Sequence, residues 1–148
     1  MKSQILLSAL ALVLLGLATG AQARDYGLER FQRAVSFAAT KTSEASYSEA
    51  IRPTKEAQFL AAMRTTDREA RRRAKETYYG FLSVLSSRLA TAENAHSSAV
   101  AAGRRYRGPA KAQVMAQVGT LQAAQVQIAA NKFSVQAIHR QAIRQFGS

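Results

Sequence analysis

"PAKAQVMAQVGTLQAAQVQIAANKFSVQAIHRQAIRQF", residues 109–146, decides the fold. Val114, Val118, Leu121, Gln125 and Ile128 step by four, three, four and three, and the register runs on through Lys132, Val135, His139, Ala142 and Phe146. That spacing lines one face of an α-helix, whereas a strand would alternate every second residue. Pro109 stands just before the first turn, where a proline suits a helix start. A helix over 110–146 would extend about 55 Å. A compact domain of this size is narrower than that, so either the helix protrudes or the whole molecule is a rod.

Upstream, Ala74, Thr77, Tyr78, Phe81, Leu82, Leu85, Leu89 and Ala92 repeat the helical pattern, with Gly80 set inside it. Thr54 can cap the segment holding Phe59, Leu60 and Met63. Thr66-Asp67-Arg68-Glu69 has capping-box spacing, which either opens a new helix or lies inside a longer one. Gly103 suits a C-terminal stop. Nearer the start, Asp25 can cap a helix carrying Leu28, Phe31, Val35, Ala38 and Ala39, a stripe that weakens past Thr40. Pro53 biases Arg52 out of the helical region and predicts a break at 52–53. The pattern therefore predicts helices over 26–51, 54–101 and 110–146, the middle one either continuous or broken near 65.

Residues 1–23 read as a cleavable secretory signal. Lys2 precedes the apolar run Ile5 to Ala18, and Ala21-Gln22-Ala23 ends it. The run is short of the roughly 20 apolar residues a spanning helix needs, and no other stretch suggests a transmembrane anchor. The expected mature chain is one domain, 24–148, in the periplasm or at the cell surface. It has no cysteine, so no disulfide can hold it and its apolar core must. With two prolines and many alanines, the fold class is all-α: an elongated bundle of about three long antiparallel helices.

From residue 24 onward the chain has 20 Lys+Arg against 9 Asp+Glu. All nine acids lie between Asp25 and Glu93, so residues 94–148 carry a single sign of charge. Such a half attracts anions. Arg71, Arg72, Arg73, Arg104, Arg105 and Arg107 are the candidate anion-binding patch, provided the fold brings them together. Arg64, Arg68, Arg71 and Lys75 share one helix face, and Glu69 and Glu76 can pair with neighbouring arginines. The partners so implied are anionic envelope polymers. Nucleic acid carries the same phosphate chemistry, but no nucleic-acid module signature is present. In "GRRYRGPAK", 103–111, the glycines and proline mark a helix–helix connection with solvated arginines.

Nothing points to bond chemistry. The two histidines, His96 and His139, lie far apart with no cysteine to complete a metal site, and no phosphate loop, zinc-protease or nucleophile-elbow motif occurs. No enzyme activity, cofactor or metal is expected. The glutamines and alanines of the last helix can bury against another helix without desolvating charge. Gln122, Gln125, Ile128 and Val135 are the candidate partner-helix face, serving other subunits or self-association.

At "GTLQAAQVQIAANKFSVQAIHRQ", residues 119–141, the chain resembles the exported minor-pilin family of type IV secretion and conjugation systems. That family's last helix carries a G-x-LQA-x-Q-x-x-N-like pattern. Gly119, Leu121, Gln122, Ala123 and Gln125 match it, and Asn131 falls further along. The resemblance implies an elongated helical bundle that serves in pilus assembly or adhesion within an envelope-spanning apparatus.

Overall fold

The computed structural model describes residues 24–148. The expected leader, 1–23, lies outside the described residues. Three helices follow in order: α1 Tyr26–Met63, α2 Arg68–Arg105 and α3 Lys111–Phe146. They hold 38, 38 and 36 residues, each about 54–57 Å long. Antiparallel neighbours of equal length make a rod, so α3 does not protrude. Cross-helix contacts fix the directions. Phe59 near the end of α1 stacks on Tyr78 near the start of α2 and meets Phe146 edge-on at the end of α3. Asp25, before α1, meets Tyr106, just after α2.

The heptad rhythm read from α3 holds in all three helices. Tyr78, Leu82, Leu85, Leu89, Ala92, His96, Ala99 and Gly103 are buried along α2 in steps of four and three. Phe31, Val35, Ala38, Thr42 and Ala45 do the same on α1. On α3 the buried positions are Val114, Val118, Leu121, Ile128, Val135 and Ala142. A 3.5-residue repeat keeps each seam facing its neighbours along the rod. The core forms two clusters, one around Phe31, Val35, Val114 and Leu121 and the other around Leu82, Leu85, Ile128 and Val135. Phe81 packs only at the margin of the second.

Two expected boundaries move. α1 runs through Pro53 without a break. Pro53 is exposed, so water can serve the carbonyl its ring leaves unbonded, while Ala45 and Phe59 anchor the helix on either side. The interruption comes at 64–67, the break near 65 that the capping-box spacing left open, where the Asp67 carboxylate accepts from the backbone N–H groups of Glu69 (2.9 Å) and Ala70 (3.1 Å). Thr54 lies inside α1 and caps nothing. Gly103 lies inside α2 and stops nothing, since the helix continues to Arg105. It is there for space: a Cβ on Gly103 would lie 2.4 Å from Val118 Cγ2 and 2.9 Å from Phe31 Cε2. The cap at Asp25 is as expected, its Oδ1 accepting from Leu28 N at 3.0 Å.

The α1 stripe weakens because its heptad continues through Glu49, Arg52 and Glu56, all half-buried. Arg52 lies 3.7 Å from Glu56. Burial raises the Glu49 carboxyl above the usual glutamate range, and Arg52 only partly offsets this. A carboxyl raised by folding contributes stability below its unfolded value and loses it as pH rises through the folded one. Glu49→Gln should therefore melt higher than the parent at neutral pH. The gap should close as the pH falls below the ordinary glutamate value of 4.5, a comparison that thermal melts at several pH values can make.

Candidate functional site: the basic end and the outer face of α3

The six arginines expected to share an anion patch do not come together. Arg71, Arg72 and Arg73 stand near the start of α2, while Arg104, Arg105 and Arg107 stand at its far end. On a continuous helix the two groups are about 50 Å apart. The first group is also partly neutralised. Arg72 binds Glu69 at 2.7 Å and Glu76 at 3.0 Å, and Arg73 binds Glu69 at 3.0 Å. Hydrogen bonds from Arg72 and Arg73 hold the Glu69 carboxyl below its ordinary value.

The second group surrounds the α2–α3 connection. The Arg107 guanidinium donates to the carbonyls of Arg104 (2.7 Å) and Tyr106 (3.1 Å). Lys111 Nζ donates to those of Gly103 (3.3 Å) and Arg104 (3.1 Å). Both cations thus satisfy carbonyls at the end of α2, where the helix dipole favours positive charge. Burial and the neighbouring Arg107 pull the Lys111 ammonium below the usual lysine range. Arg104 and Arg105 are exposed, and so is Arg30 across the groove lined by Gly27 and Tyr106; among the described residues none of the three forms an ion pair. A parallel groove on the other side of Arg105 is lined by Ser97, Val100, Arg104, Gln122 and Gln125.

Tyr106 is the residue of this loop that sequence reasoning missed. It is 4% exposed, and its hydroxyl donates to Asp25 Oδ2 and accepts from Ala110 N at 3.2 Å. One side chain therefore joins the cap of α1 to the start of α3. Its ring passes between two glycines: a Cβ on Gly27 would lie 3.2 Å from the ring, and one on Gly108 2.1 Å from the hydroxyl. The repeated glycines beside an aromatic in the connection were the available signal. The Tyr106 hydroxyl, with Leu28 N, depresses the Asp25 carboxyl. A depressed acid contributes stability above its unfolded value and loses it as pH falls through the folded one. Tyr106→Phe should lower the melting temperature by a few degrees near neutrality, and the deficit should shrink in acid.

Chemistry-bearing side chains are dispersed. Among the described residues no group of three or more His, Asp or Glu is placed to hold a metal ion. His96 is fully buried, with Nδ1 at 2.8 Å from the Ala92 carbonyl and, among the described residues, no partner at Nε2. His139 lies beside Tyr79, their ring centroids 5.4 Å apart.

The expected partner face on α3 needs correction. Ile128 and Val135 are buried in the chain's own core, so α2 already covers them; Gln125 is half-buried and Gln122 exposed. The outward side of α3 carries a second stripe in the same rhythm: Ala112, Ala116, Gly119, Ala123, Val126, Ala130, Phe133 and Ala137, all exposed. Val126 is 71% and Phe133 64% exposed, and Met115 is exposed nearer the start of the helix. No charged residue occurs between Lys111 and Lys132. The opposite shoulder is polar, with Gln113, Thr120, Gln127, Ser134 and Gln141. No helix among the described residues is long and apolar enough to cross a membrane. No known protein family, curated protein or solved structure matches the chain.

Proposed function

We propose that this chain is a non-catalytic helical subunit of an envelope-spanning type IV secretion or conjugation apparatus. It is exported to the periplasm or cell surface and serves pilus assembly or adhesion by helix-face packing. The observation that carries this reading is the uncharged apolar stripe along the outside of α3, with Val126 and Phe133 held in water. Isolated exposed apolar residues are ordinary, but a continuous stripe marks an interaction surface. The minor-pilin resemblance at 119–141 covers this same stretch and supplies the kind of apparatus. A photo-crosslinking side chain placed at Val126 should capture a secretion or pilus subunit in the host envelope, and Val126→Glu should reduce pilus production or conjugal transfer. Normal transfer with Val126→Glu, at normal protein level, contradicts the reading.

Arg30, Arg104 and Arg105, exposed and without ion pairs at one end of the rod, favour a second reading: retention on anionic envelope polymers or nucleic acid through phosphate or carboxylate groups. Replacing Arg104 and Arg105 together by serine should abolish salt-sensitive retention on such polymers while leaving the melting temperature nearly unchanged. Retention that survives the double change excludes these two arginines as its cause.

A further inference from the structure

The outer stripe of α3 has an internal symmetry that bears on its occupant. Gly119 and Phe133 lie seven residues either side of Val126, Ala123 and Ala130 lie just inside them, and Ala116 and Ala137 outside. Two α3 helices laid antiparallel about an axis at Val126 would set Phe133 of each copy against the partner's Gly119. Ala123 would fall within one residue of the partner's Ala130, and Ala116 within one residue of the partner's Ala137. The largest side chain of the stripe then meets the residue that has none. A parallel arrangement would set Phe133 on Phe133 and Gly119 on Gly119, giving a clash and a hole. Gly119 has no such role within the chain, because a Cβ there would meet nothing within 4 Å. A glycine inside a helix costs about 1 kcal/mol against alanine, and inside this chain nothing offsets it.

We infer that the α3 stripe docks a second copy of this chain, antiparallel, with Val126 on the two-fold axis. This rests on reading the stripe as the partner-binding face and names the partner. Charge does not oppose it: of the four cations of α3, Lys111, Arg140 and Arg144 fall at the ends of the stripe, and Lys132, beside Phe133, is paired with Glu93 of α2. Area agrees. The stripe from 112 to 137 is about 38 Å long. A strip that long and somewhat wider than one helix buries roughly 500–650 Å² per copy, about 1,000–1,300 Å² in all, at the lower end of the size of a specific interface. Area and self-complementary contour together suit micromolar association.

The chain has no cysteine, so introduced ones report unambiguously. Under mild oxidation Val126→Cys should give a covalent dimer. Phe133→Cys and Gly119→Cys should cross-link when mixed and not when alone. Sedimentation equilibrium of the purified chain should show a dimer that tightens with added salt, as repulsion between the basic ends is screened. Val126→Glu should raise the dissociation constant at least about tenfold, because it sets two carboxylates face to face. Circular dichroism should show its helix content unchanged, since residue 126 is exposed. A folded chain that stays monomeric to about 100 µM overturns the inference. So does a dimer indifferent to Val126→Glu, or one cross-linked through Gln127→Cys on the polar shoulder instead. If the chain is monomeric while Val126 captures a different pilus subunit in the envelope, the second copy is excluded and the wider reading stands.

Discussion

Leu121→Asp is expected to remove about a third of the chain's stability or more, so that its helical circular-dichroism signal is lost at far lower temperature or urea than the parent's. Leu121 is 3% exposed and sits among Phe31, Val35, Ala99, Val100 and Val118, where the three helices meet. The side chains of that cluster are aliphatic and aromatic, so a carboxylate there would lose its hydration. The loss of apolar burial and the desolvation of the charge together cost about 4–5 kcal/mol or more. A domain of this size has roughly 5–15 kcal/mol of stability in all. Val126→Asp is the control. It makes the same kind of change five residues along the same helix, at a position 71% exposed. It should keep its helix content and, at dilutions where the chain is monomeric, nearly the parent melting temperature.

Gly103→Leu should destabilise the rod by about 3 kcal/mol, at the upper end of what overpacking a filled core does. The first added carbon already falls 2.4 Å from Val118 Cγ2 and 2.9 Å from Phe31 Cε2. Both neighbours are buried, at 1% and 0% exposure, and valine has little rotamer freedom to yield. The comparison is Gly80→Ala, where the added carbon meets nothing within 4 Å. That change should stabilise by up to about 1 kcal/mol through helix propensity alone. Urea melts of the two variants should move in opposite directions from the parent. A Gly103→Leu chain as stable as the parent would mean that α1 and α3 do not approach α2 so closely there.

The all-α class and the seam of α3 were legible because the 4-3 rhythm of Val114 to Phe146 is unbroken and no proline interrupts it. The cap at Asp25 was legible because capping is a local event, read from neighbours. The misplaced boundaries share one cause. Pro53 and Gly103 have a default meaning set by their own backbone preferences, and here tertiary context overrides it. The exposed side of α1 tolerates the proline, and the crowding of Phe31 and Val118 explains the glycine. The role of Tyr106 was not legible because a hydrogen bond to Asp25, 81 residues away, leaves no local trace. The six-arginine patch failed because a rod keeps residues about 50 Å apart when they lie that far apart along one helix. The face of Gln122, Gln125, Ile128 and Val135, expected to meet another subunit, joined two sides of the helix: a heptad pattern does not announce whether its own chain or another covers it, and here α2 covers Ile128 and Val135 while Gln122 stays in water.

α3 turns one seam inward and leaves the other in water. Alkylation of single cysteines, introduced one at a time and followed in dilute solution, tests this most directly. Val126→Cys and Phe133→Cys should react at nearly the rate of a free thiol. Val118→Cys, Leu121→Cys and Ile128→Cys should react orders of magnitude more slowly, limited by opening of the rod. Protection at 126 and 133 with rapid reaction at 118, 121 and 128 would contradict the account, because α3 would then be turned the other way round.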